Sequence, residues 1–259
     1  MTGPTSSLDG GSVATELRDG VATIRFHHPK GNSLPASVLR ALAQQVDAAG
    51  ADAGARVVVL RSEGTGPFCA GASFDELRAI RDAAQGREFF MGFARLILAM
   101  RRCPKFVLAR VHGKAVGGGV GVVAASDYAI ATTNAAVKLS ELAVGIGPFV
   151  VGPVIERKIG HAAFQGLAVD ATEFRDAEWA GRVGLYARVV PDTAALDAAV
   201  DTLAARLAAS NPEAMAKMKT TFFRDTEHWE TLLPERAEMS GTLVLSEFTR
   251  NALAAFAAR

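Results

Sequence analysis

The stretch VHGKAVGGGVGVVAASDYAIA, Val111–Ala131, sets three consecutive glycines, Gly117–Gly119, between a strand-like apolar run and an Ala/Val-rich segment that reads as a helix. Glycine weakens the interior of either element and is kept where the backbone needs a positive φ or a close approach. The run therefore marks a strand-to-helix turn. Taken alone, it is accounted for by close packing of strand on helix. A second reading is dinucleotide binding, since Gly119, Gly121 and Ala124 fit G-x-G-x-x-A and Glu141 lies 20 residues beyond Gly121, near the expected acidic position. Against that stand the break in the helical pattern at Ser126-Asp127 and an alternation unlike two successive mononucleotide-binding halves.

Outward from this turn the same theme recurs. KFVLARV from Lys105 leads into the glycines, and YAIATT from Tyr128 reads as the next strand. Upstream, RVVVLR from Arg56 is a buried-strand run, followed by a second glycine turn, GPFCAGASF (Gly66–Phe74), and a helical stretch from about Phe74 to Arg102. Earlier still, SVATELRDGVATIRF is two β-rich runs about Asp19-Gly20, a dipeptide suited to a tight hairpin. In NSLPASVLRALAQQVDAAG, Val38, Leu39, Leu42 and Val46 fall at helical spacing, with Pro35 in the first turn and Gly50 expected past the end. The architecture expected is α/β, successive strand-strand-helix units stacked with their turns along one side. From Asp192 the chain reads as helix, interrupted at Asn211-Pro212. This divides it into a core, 1–191, and a helical C-terminal region, 192–259, that packs over the core or against another subunit.

With 259 residues, 49% of them hydrophobic, the chain can bury one large core. Lys and Arg number 28 against 27 Asp and Glu, so no global field recruits nucleic acid or an anionic membrane. Cys69 and Cys103 are too few for a disulfide framework and lack the paired spacing of a zinc site, which fits a reducing cytoplasm. MTGPTSSLDGG has no basic-then-apolar signal pattern, and no apolar run approaches the ~20 residues that span a bilayer. The N-terminal tip is expected to be disordered.

Two glycine turns, each after a buried strand and before a helix, can present two backbone N–H groups at one point. Paired donors aimed at one oxygen are what a thioester carbonyl needs when it becomes an enolate, and a helix beginning at the turn adds its partial positive charge. The segments GVATIRFHHPKGNSLP, VVVLRSEGTGPFCAGASFDEL, VHGKAVGGGVGVVAASDYAIA, VKLSELAVGIGP and NPEAMAKMK resemble the crotonase superfamily, the enoyl-CoA hydratase/isomerase group, over essentially the whole length. The resemblance implies a spiral of repeated β-β-α units with a C-terminal helical region. It also implies an oxyanion hole made by the N–H groups of Ala72 and Gly118, with Ala70, Gly71 and Gly117 at the substrate.

The family usually carries two acids. Where hydratases place the first, this chain has Gly121; the second is kept as Glu141 in LSEL. A lone glutamate suffices to move a proton between two carbons of an acyl-CoA while the amides hold the dienolate, so double-bond isomerisation is the reaction the resemblance favours, with Glu141 as base. Hydration of an enoyl-CoA, or a branched one such as methylglutaconyl-CoA, with one glutamate is the alternative. An NAD(P)-dependent oxidoreductase and a non-catalytic acyl-CoA binder stand further off. Lys30 matches a stretch that touches the CoA nucleotide, with an exposed loop lysine as the plain alternative. Phe149 either lines the acyl pocket or fills core. Asp75 and Glu76 either lie at the pocket mouth or serve a helix dipole; Ser73 is assigned no role, and His27 and His28 read as structural. No metal or redox cofactor is implied, coenzyme A being part of the substrate. Homotrimers or homohexamers are what the resemblance implies for assembly.

Overall fold

The computed structural model describes residues 10–257, so the N-terminal tip lies outside the described residues. The DG dipeptide does form a hairpin: β1 (Ser12–Arg18) pairs antiparallel with β2 (Val21–His27), with Asp19 at φ 50° and Gly20 at φ 80°. α1 (Ala36–Ala51), β3 (Val57–Ser62), α2 (Phe74–Ala79), α3 (Ala83–Arg102) and β4 (Val107–Val111) follow. Then come β5 (Ala115–Val116), α4 (Gly118–Ala125), β6 (Tyr128–Thr132), β7 (Val137–Lys138), α5 (Gly152–Ile159), α6 (His161–Val169), α7 (Ala177–Arg182) and β8 (Arg188–Val190). The C-terminal part is α8 (Thr193–Ala208), α9 (Pro212–Phe222), α10 (Trp229–Leu243) and α11 (Glu247–Ala257).

The main sheet runs β1-β2-β3-β4-β6-β8, parallel from β2 onward. β3 and β4 are buried end to end or nearly so, as expected of strands covered on both faces. One face packs on α1, α3 and α4; the other carries Val57, Val59, Leu108 and Ile130, which α8 covers with Leu196, Ala199 and Val200. Strands are added in chain order from β2, with no reversal of the kind that creates a dinucleotide crevice.

Three expectations need correction. Gly50 lies inside α1, because the helix runs on to Ala51 and the bare Cα lets it sit against Cys103 and Pro104, whose side-chain atoms would lie 3.4 Å from a Cβ there. The stretch from Phe74 to Arg102 is two helices. Ile80 is extended, and Asp82 restarts the helix by accepting the Gln85 N–H at 2.8 Å while Gln85 Nε2 donates back to its carboxylate at 2.9 Å. Gln85 Oε1 also accepts the Arg81 N–H at 3.0 Å, so Asp82 and Gln85 together close the start of α3. The C-terminal helical stretch is likewise broken, between Phe222 and Trp229 and between Leu243 and Glu247.

Candidate active site

Each turn of the spiral hydrogen-bonds to the next beside the main sheet. Leu34 N–H donates to Gly71 O (2.8 Å), Val116 N–H to Cys69 O (2.9 Å), Ala115 N–H to Ala136 O (3.0 Å) and Gly117 N–H to Lys138 O (2.8 Å). Ala70 N–H is taken by Gly31 O and Gly71 N–H by Cys69 Sγ. Ala72 and Gly118 come one residue after these donors in their respective turns. Neither N–H has an acceptor among the described residues, and both residues line one cleft.

The two turns touch. A Cβ on Gly71 (φ 94°) would lie 2.9 Å from Val116 O. The three glycines that follow meet three separate demands. Gly117 takes φ 54°, and a Cβ there would sit 3.1 Å from Glu141 Oε1. A Cβ on Gly118 would lie 2.1 Å from the Phe93 ring, and one on Gly119 2.8 Å from Cys69 Cβ. Close packing therefore bares the turn, and the bare turn leaves the Gly118 amide at the start of α4, where the helix dipole is positive.

Glu141 opens the short 3₁₀ turn Leu142–Val144, its carbonyl accepting the N–H groups of Val144 (3.2 Å) and Ile146 (2.9 Å). The residue as a whole is half-buried, but Oε2 is shut off from solvent and has no hydrogen-bond partner among the described residues. Burial pushes its carboxyl pKa up from 4.5 to about 7. It is the one ionisable side chain among the described residues lining the cleft, whose walls are mostly apolar. The space that an acid at 121 would enter is filled: a Cβ on Gly121 would meet Val151 Cγ1 at 2.5 Å.

The cleft thus brings together Ala70, Gly71, Ala72, Gly117, Gly118, Glu141 and Phe149. Lys30 lies apart, in an adjoining depression with Ala70, Ala72 and Phe74. Its Nζ is ion-paired with Asp75, which also accepts from Arg78 at 2.7 Å; these two cations hold the Asp75 carboxyl below its usual range. Ser73 caps α2, accepting the Glu76 N–H, and Glu76 Oε2 accepts the Ala36 N–H at 2.8 Å, so Glu76 serves the first turn of α1. His28 organises the turn ahead of α1, its Nδ1 2.9 Å from Ser33 Oγ. Sequence reasoning missed Phe93, Val151 and Ser240, all lining the cleft. Phe93 reads as ordinary core on a helix face, and Ser240 arrives on α10, which packs along α3 from far down the chain; no local signal marks it.

Comparison with known proteins bears on this arrangement. Residues 16–257 match the enoyl-CoA hydratase/isomerase family model. The chain is similar to the short-chain-enoyl-CoA hydratase of Clostridium acetobutylicum, 26% identical over 248 residues, covering 95% of this chain and 94% of that one. It is also similar to the mitochondrial methylglutaconyl-CoA hydratase of Rattus norvegicus, 31% identical over 186 residues, covering 71% of this chain and 58% of that one. The crystal structure of an enoyl-CoA hydratase from Bacillus halodurans superposes with TM-score 0.87 at 22% identity, covering 94% and 99% of the two chains. The fold is that of the crotonases. The chain belongs to the enoyl-CoA hydratase/isomerase family.

Proposed function

We propose that the protein acts on an unsaturated acyl-CoA thioester, with the Ala72 and Gly118 N–H groups holding the thioester oxygen as it becomes an enolate and Glu141 as the only proton carrier. The observation that carries this is the single buried carboxylate, raised to about 7, in a cleft with two amides that have no acceptor among the described residues. A base with a pKa near the working pH is ionised often enough to take a proton and acidic enough, once protonated, to return it. In the favoured reaction Glu141 removes a proton from C2 of a 3-enoyl-CoA, and the freed electron pair forms a C1–C2 double bond as the carbonyl pair moves onto the thioester oxygen, giving a dienolate conjugated with C3–C4. The protonated Glu141 then delivers the proton to C4 as the charge returns, giving a 2-enoyl-CoA of the same mass. Val151 in place of a second acid supports this reading.

Hydration is the second reading, favoured by the relatives named as hydratases. There Glu141 would take a proton from water as oxygen bonds to C3, then return it to C2. The Lys30–Asp75 pair in the adjoining depression is proposed to meet a CoA phosphate, Lys30 exchanging one anion for another. No redox cofactor or metal enters the chemistry proposed. Self-association through the C-terminal helices, as a trimer or hexamer, is supported by exposed Met239, Leu243 and Phe248.

Mass spectrometry with chromatographic separation of the enoyl-CoA isomers tests the reaction. Incubation with 3-enoyl-CoA should give a product of unchanged mass, and 2-enoyl-CoA should gain no water. Gain of one water with no shift of the double bond would select hydration. Glu141→Gln should abolish either while leaving CoA-ester binding intact; turnover retained in that variant refutes the assignment.

A further inference from the structure

We infer that the acyl group of the substrate carries a neutral hydrogen-bonding oxygen, a ketone or a hydroxyl, beyond its reacting carbons, and that Ser240 on α10 recognises it. The inference rests on the reading of the cleft as an unsaturated acyl-CoA site and names the class of acyl group that the site selects.

Two helices bring Ser240 to the cleft. α3 and α10 lie antiparallel: Arg101 and Arg102, at the end of α3, pair with Glu230 in the first turn of α10 at 3.7 and 3.3 Å, while Gly86 near the start of α3 abuts Gly241 near the end of α10. A Cβ on Gly86 would lie 2.5 Å from Gly241 O, so only bare backbone allows so close a crossing. Phe90 and Phe93 follow Gly86 one and two turns along the same face of α3, and both line the cleft with Ser240. The Phe93 ring stands against Gly118, whose amide holds the thioester oxygen in the proposed reaction. From Gly86 to Phe93 the helix rises about 10 Å. Ser240 therefore faces the part of the acyl group beyond the reacting carbons.

The hydroxyl is not spent on its own helix. A serine or threonine inside a helix commonly turns its hydroxyl back on the carbonyl four residues earlier. Thr242 does so onto Glu238 O at 3.0 Å, and Thr220 and Thr221 of α9 do so onto Ala216 O and Lys217 O at 3.1 and 2.9 Å. Ser240, 1% exposed, makes no side-chain hydrogen bond among the described residues and lines the cleft. A buried hydroxyl is costly to leave unpaired. Water meets that need poorly, since a buried water requires two or more polar partners. Among the described residues the other polar side chains lining the cleft are Ser140 and Glu141, which belong to the turn beside Gly117. A ketone or hydroxyl oxygen pairs with Ser240 while the carbon skeleton that bears it packs on the apolar walls. A carboxylate does not suit the site: no cation lines the cleft among the described residues, and Glu141 repels a second acid there.

The test uses the full chain and 3-enoyl-CoA esters of equal length, one with a plain alkyl tail and others carrying a ketone, a hydroxyl or a terminal carboxylate beyond C5. kcat/KM is read from product formed, isomerised or hydrated, after chromatographic separation. The wild type should favour the keto or the hydroxy ester over the plain one by severalfold to about tenfold, the worth of one neutral hydrogen bond, and should turn over the carboxylate ester least. Whichever ester is favoured identifies the oxygen recognised. Ser240→Ala suits a helix and adds no atoms, and in it the ratio of keto or hydroxy to plain ester should fall to near one. A merely structural Ser240 would move all the esters alike. Preference for the plain ester throughout, or a preference that survives in Ser240→Ala, overturns the inference and leaves the enoyl-CoA reading standing. Turnover of none of these esters by the wild type refutes that reading, and the inference with it.

Discussion

Replacing Glu141 by glutamine tests the environment of the carboxyl group without any substrate. Its pKa rises from 4.5 to about 7 on folding because Oε2 is enclosed and unpartnered. Between those values the folded state binds more protons than the unfolded, so stability is fully present below pH 4.5 and falls as pH rises through 7. At complete ionisation the loss is about 3 kcal/mol, most of which develops between pH 5 and pH 8.5. Glutamine has nearly the same shape and no charge to bury, so the variant escapes this loss while every other titration cancels. Urea unfolding of both proteins at the two pH values, at one protomer concentration, should show the variant gaining about 2–3 kcal/mol on wild type as pH rises. Turnover by the wild type should rise over the same window with a midpoint near 7. A stability gap independent of pH would refute the argument that the carboxyl group is desolvated.

Two further perturbations follow from the packing. Gly121→Glu drives a side chain into Val151 and should cost about 1–3 kcal/mol by overpacking. Adding Val151→Gly should recover most of that and raise the ratio of hydration to isomerisation, read by product mass after chromatographic separation of the isomers. The second concerns Lys219, 2% exposed, whose Nζ donates to Asp127 Oδ2 at 2.8 Å and to Lys105 O at 2.9 Å, fastening α9 to the sheet. Lys219→Met leaves Asp127 buried without its cation and should cost about 3–5 kcal/mol in urea unfolding, with the active-site cleft unaffected.

Much of this fold is written locally. Asp19-Gly20 names its turn because few residue pairs accept two positive φ angles, and VVVLRS and VLARV read as buried strands because both of their faces are covered. Ser73 and Asp82 both cap helices, yet neither reads as a cap in the sequence, because the apolar periodicity of the surrounding stretch conceals the break between α2 and α3. Family resemblance supplied the two amides and Glu141. The structure adds what surrounds them: a Phe93 ring against Gly118 and a Val151 side chain over Gly121.

The sequence by itself determined which residue types were available: one glutamate after VKLS, no acid at 121, and bare backbone at two turns. Only the tertiary structure decided their environment. Whether Glu141 titrates near 4 or near 7 depends on atoms from α3, from α10 and from the segment just before α5 that line its cleft. Desolvation and charge balance are sums over neighbours in space, and those neighbours are scattered along the chain.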